Sequence, residues 1–140
     1  KGLCNLTTAN GDINTDYLRG TLVLDAANGN IIGENIFGPI QAYTSSGNID
    51  FKISYDSGSS DYSISLETVS GNIDVSVPKN LPVTIEAEVE GGKTAGVISS
   101  DIPIALEDTE SKIFAKGQVN EGTIPLNLFT GRGHITIREN

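Results

Sequence analysis

The sequence predicts an all-β solenoid, a stack of coils of about 18–24 residues each, and two observations carry that prediction. Gly11, Gly20, Gly29, Gly38 and Gly47 recur every nine residues. Every second one opens a near-copy of one phrase: Asn10-Gly11-Asp12-Ile13, Asn28-Gly29-Asn30-Ile31, Ser46-Gly47-Asn48-Ile49. The phrase returns as Ser70-Gly71-Asn72-Ile73 and, near the end, as Arg132-Gly133-His134-Ile135. The second observation is strict alternation of apolar residues, as in Ile49, Phe51 and Ile53, the period of half-buried strands. An antiparallel sandwich also has hairpins at such spacing. It has no reason to repeat residue identity, whereas each turn of a stack must match the one beneath.

Taken in order, nine residues make one strand plus one turn, and eighteen return the chain to its starting face. Glycine after Asn or Ser marks turns that need positive φ, so Gly11, Gly29, Gly47, Gly71 and Gly133 are assigned as structural turns. Residues shortly before these glycines recur too, as Leu6-Thr7-Thr8, Leu24-Asp25-Ala26, Leu66-Glu67-Thr68 and Leu128-Phe129-Thr130. Stacking at about 4.8 Å puts like above like. Ile13, Ile31, Ile49, Ile73 and Ile135 then form one internal aliphatic column, with Leu22 and Ile40 on the opposite wall. Further strands are marked by Ile64 and Leu66, by Ile73, Val75 and Val77, and by Val83, Ile85 and Ala87. About seven coils, roughly 30–35 Å of stack, are expected. The period breaks at a polar insertion over 54–63 and in an irregular segment over 99–122, where a short helix or a cap is expected. The whole of 1–140 reads as a single domain.

Composition narrows the functional classes. The 140 residues carry a formal net charge of −9, which disfavours nucleic acid and anionic membrane surfaces. Four Phe, four Tyr and no Trp leave the core to Ile, Leu and Val. No apolar run approaches the roughly 18 residues of a membrane-spanning helix. The sequence opens at Lys1 without methionine or signal peptide, as a processed or trimmed chain would, so targeting signals are expected to be missing from it. Cys4 is the lone cysteine and is read as a small apolar residue rather than a reactive thiol. Asn5-Leu6-Thr7 matches a glycosylation sequon, as chance allows in a chain this rich in Asn and Thr.

The phrases Thr68-Val69-Ser70-Gly71-Asn72-Ile73-Asp74-Val75 and Val77-Pro78-Lys79-Asn80-Leu81-Pro82-Val83 carry a resemblance, as does the ending Gly133-His134-Ile135-Thr136-Ile137-Arg138. Together they resemble a bacterial adhesin-like family of glycine-punctuated β-strand repeats, whose members are largely without assigned function. The resemblance covers nearly the whole chain. It implies a right-handed β-helix-like fold and a cell-envelope or extracellular location, and it carries over no catalytic residues. The chain departs from the family pattern at Arg132 and His134, where Ser or Asn and Asp or Asn are usual. Autotransporter-adhesin head domains use similar glycine phrases and are the nearest alternative.

Few residue patterns in the chain signal chemistry. A calcium roll needs paired glycines and an Asp in each repeat, which these units lack, so no metal or other cofactor is expected. Asp50 and Asp74 both lie three residues after a motif glycine, and stacking would pair them. Such a pair can raise one carboxyl pKa, the arrangement of a polysaccharide-active enzyme, but alternation places it outside in water. Asn30, Asn48 and Asn72 should stack into an amide ladder, a structural use, and His134 takes the same place in the final turn. The insertion offers the candidate ligand-binding set: Tyr55, Asp56, Asp61 and Tyr62, amphipathic rings beside carboxylates. The expected function is a non-catalytic surface interaction or scaffold module with a glycan or protein partner. The alternatives are the enzyme or a purely structural segment that self-associates through open solenoid ends.

Overall fold

The computed structural model describes residues 3–37, 39–53, 63–78, 82–92, 96–101, 104–108, 112–119 and 124–139. Gly38 and the insertion residues Tyr55, Asp56, Asp61 and Tyr62 lie outside them. Among the described residues the chain is nearly all strand, without an α-helix. The first coil is β1 (Leu3–Asn10) and β2 (Ile13–Arg19), the second β3 (Thr21–Asn28) and β4 (Ile31–Phe37). The third is β5 (Ile40–Ser46) and β6 (Ile49–Ile53), the fourth β7 (Ile64–Ser70) and β8 (Ile73–Val77). Among these eight strands, the odd-numbered ones pair in parallel in one sheet and the even-numbered ones in the other. The eighteen-residue phrase therefore becomes one circuit between two facing walls.

Alternation decides which side chains enter the space between the walls. Ile49, Phe51 and Ile53 are buried while Asp50 and Lys52 face water. Register then lines up the aliphatic column: Ile13 beside Ile31, Ile31 beside Ile49, Ile49 beside Ile73, Ile73 beside Ile135. On the other wall Leu22 lies beside Ile40, and Ile40 beside Ile64. Cys4 continues this column at Leu22 and packs, partly buried, against the core. Phe51, the largest of the fully buried side chains, lies across from Gly33, whose missing Cβ makes room for the ring.

The stack departs from chain order. β9 (Val83–Val89) and β10 (Ile98–Ser100) follow the fourth coil, and β11 (Ala105–Asp108) and β12 (Ile113–Val119) come next. The last coil is β13 (Ile124–Arg132) and β14 (Ile135–Glu139). β13 pairs in parallel with both β7 and β9, and β14 with both β8 and β10, so the last coil is inserted between its predecessors. Residue matching accounts for the place it takes. Leu128 and Thr130 fall on Leu66 and Thr68, and Ile135 falls on Ile73, so each aliphatic and threonine column continues unbroken.

Within 99–122, where a short helix or a cap was expected, the described residues form an antiparallel hairpin of β11 and β12 at the edge of the larger sheet, with β12 antiparallel to β9. Instead of about seven coils the described strands make six, and the hairpin fills the remaining places of the larger sheet. The eight strands of that sheet span about 34 Å at 4.8 Å per step.

Candidate functional site

The five motif glycines Gly11, Gly29, Gly47, Gly71 and Gly133 all hold positive φ, between 135° and 156°. They stack so closely that a Cβ on Gly47 would overlap the carbonyl oxygen of Gly29, and one on Gly71 that of Gly47. Buried threonines complete these turns. The Oγ1 hydroxyls of Thr44, Thr68 and Thr130 donate to the Gly29, Gly47 and Gly71 carbonyls at 3.0, 3.0 and 2.9 Å. The carbonyl at each turn thereby gains a partner inside the stack.

The residue after each glycine forms a ladder, but not the side-chain amide ladder expected. Each side chain instead accepts the backbone N–H of the coil above. Asp12 Oδ1 accepts from Asn30, Asn30 Oδ1 from Asn48, and Asn48 Oδ1 from Asn72, all at 2.9 Å. Asn72 Oδ1 accepts from His134 at 2.8 Å, and His134 Nδ1 accepts from the Val97 N–H at 3.0 Å. Asp, Asn and His share an acceptor at the same distance from the backbone, which is why this position tolerates all three. His134 accepts through Nδ1, so its neutral ring carries the proton on Nε2. It is a structural rung.

Asp50 and Asp74 are neighbours in register, on the outward side of β6 and β8. Arg138 Nε donates to Asp74 Oδ1 at 3.2 Å, so one member of the pair is already matched by a cation. Partial burial, followed by the charge of Asp74, pushes the Asp50 carboxyl above its ordinary value of 3.8. A raised folded-state pKa means that the folded chain holds this proton more tightly than the unfolded one. Stability from this group is therefore greatest in acid and falls as pH rises from 3.8 through the folded value. Asp50→Asn is expected to melt slightly above the wild type at pH 7, by no more than about 0.5 kcal/mol. The difference should vanish below pH 3.8 in a thermal-melt series.

The outward face of the larger sheet holds an arrangement that spans most of its strands. Register places Asp25, Tyr43, Glu67, Phe129, Glu88, Phe114 and Glu107 side by side on successive strands. Acid and aromatic alternate along the entire row. Tyr43, Phe129, Glu88 and Phe114 are half-buried, and Asp25, Glu67 and Glu107 are exposed. A shallow depression of about 260 Å³ opens at its centre, lined by Ser65, Glu67, Glu86, Glu88, Phe114 and Phe129 among others. Lys112 Nζ pairs with Glu88 at 3.2 Å. The ammonium groups of Lys112 and Lys116 sit 6.0 and 5.3 Å from the centre of the Phe114 ring. Among the described residues, no three His, Cys, Asp or Glu side chains gather where a metal ion could be held.

Part of this row was written in the sequence. The aligned phrases Leu24-Asp25-Ala26, Leu66-Glu67-Thr68 and Leu128-Phe129-Thr130 each have an outward middle residue. Reading those middle residues as a column would have paired Glu67 with Phe129. Glu88 and Phe114 had no such signal, because their strands carry no copy of the phrase.

Residues 3–138 match the family described as Toastrack DUF4097. The chain belongs to that family. A solved structure shares the Toastrack architecture seen here: a protein described as a "putative cell adhesion protein" from Clostridium sporogenes ATCC 15579. It superposes with a TM-score of 0.70 at 14% identity, covering 98% of this chain and 94% of that one. At that identity the likeness is one of fold. No curated protein matches the chain.

Proposed function

We propose that this Toastrack chain is a non-catalytic interaction or scaffold module at a bacterial cell surface or envelope, where it binds a protein or glycan. The observation that carries this reading is the acid–aromatic row with its central depression, on the outward face of the eight-stranded sheet. Aromatic rings beside carboxylates supply flat apolar area and directed polar groups together, as recognition surfaces require. The description of the Clostridium neighbour as a "putative cell adhesion protein" agrees with this reading. The insertion residues Tyr55, Asp56, Asp61 and Tyr62 belong to the proposal as a second contact region.

Among the described residues the Asp50–Asp74 pair is the arrangement that favours an enzyme, and its surroundings speak against that use. Arg138 pairs with Asp74 at 3.2 Å, and the two carboxylates lie on an outward strand face where water screens them. End-to-end association is the remaining element of the proposal. β1 and β2 lie at the ends of their sheets, where Leu3 and Leu6 are 68% and 38% exposed.

Retention of the purified domain on bacterial envelope fractions tests the reading, with protein and glycan components presented separately. Saturable retention without shortening of the glycan is expected. Failure to bind either component, or release of shortened glycan that stops in Asp50→Asn/Asp74→Asn, would refute it. A molar mass that rises with concentration would support the end-to-end element, and a constant monomer mass would remove it.

A further inference from the structure

We infer that the outward face of the eight-stranded sheet docks a basic extended segment, with one Lys or Arg at every third position in a polyproline II conformation. This rests on the reading of the chain as an interaction module and names the class of partner. Carboxylates occupy every second place along the row: Asp25 on β3, Glu67 on β7, Glu88 on β9 and Glu107 on β11. Two strand steps separate successive acids by about 9.6 Å. A polyproline II helix repeats its face every three residues, about 9.3 Å. A β-strand repeats its face at about 6.7 Å and falls out of step within two contacts.

The places between the acids are filled by Tyr43, Phe129 and Phe114. Their ring faces suit proline rings and the flat guanidinium of arginine. Asp25, Glu67 and Glu107 are exposed, whereas at Glu88 the chain's own Lys112 already takes the place that an arginine of the partner must win from it. Lys112 takes a carboxylate from Glu88 while its ammonium, with that of Lys116, approaches the Phe114 ring. The net charge of −9 adds long-range attraction for a basic partner.

The test measures binding of a labelled peptide of repeated Pro-Pro-Arg triplets to the purified domain, beside an isomer of the same composition with its arginines contiguous. The triplet peptide is expected to bind several-fold more tightly than the isomer. Glu67→Gln/Glu88→Gln should weaken it about tenfold, and Phe129→Leu about two- to fivefold. Asp50→Asn/Asp74→Asn removes the same charge from the opposite sheet and should leave binding unchanged. Thermal melts confirm that each variant is folded. Equal affinity for the two isomers, or equal loss in both double variants, would mean undirected charge attraction and overturn the inference. Absence of peptide binding while wild-type protein is retained on envelope fractions would overturn the partner class alone. Loss of both would overturn the interaction reading with it.

Discussion

Gly47→Val is expected to destabilise the fold far more than Gly11→Val. Both positions hold positive φ, 153° and 135°, so a side chain at either costs about 1–3 kcal/mol of backbone strain. The difference lies beneath them. A Cβ at Gly47 would overlap the Gly29 carbonyl oxygen, which belongs to the backbone and cannot rotate away. At Gly11, the first turn of the stack, the nearest heavy atom is the Thr8 hydroxyl at 3.7 Å. Overpacking adds about 1–3 kcal/mol at Gly47 alone, and the two terms together approach half the stability of a typical domain. Urea unfolding of the two variants measures the difference directly. Equal midpoints would show that the turns are not in backbone contact.

Ile49→Asp should be more damaging still. Ile49 is 1% exposed, in a column between Ile31 and Ile73, and offers an introduced carboxylate only aliphatic neighbours along the column. An unpaired buried charge of this kind costs more than about 4 kcal/mol. The chain contains its own comparison, because Asp50, one residue along, points outward and is tolerated. Since a buried carboxyl is less costly when protonated, the variant should regain part of its stability in acid. Circular dichroism at pH 7 and at low pH would follow this. A melt unchanged from wild type would mean that the register of β6 is shifted by one residue.

Both expected results concern features that local chemistry writes into the chain. The nine-residue glycine spacing, the Ile13-to-Ile135 column and the pairing of Asp50 with Asp74 were all legible, because stacking demands like residues at like positions. The ladder positions at Asn30, Asn48, Asn72 and His134 were legible as well. Their bonding was not, since whether an amide meets a side chain or a backbone N–H depends on the height of the next coil.

The final arrangement of the stack came from elsewhere. A strand edge accepts whichever partner continues its columns best, wherever that partner lies in sequence. β13 matches β7 at Leu128 and Thr130, so it takes the place beside β7 and moves β9 one step outward. β9 and β12 lack the glycine phrase; β9 pairs with the edge of β13 and β12 with the far edge of β9. The acid–aromatic row depends on that order, because only insertion of β13 sets Phe129 between Glu67 and Glu88. The sequence by itself determined the coil, its turns and its inward columns, since these follow from spacing along one chain. The tertiary structure alone decided which strands became neighbours and thereby built the outward face, since strand edges compete for partners across the whole molecule.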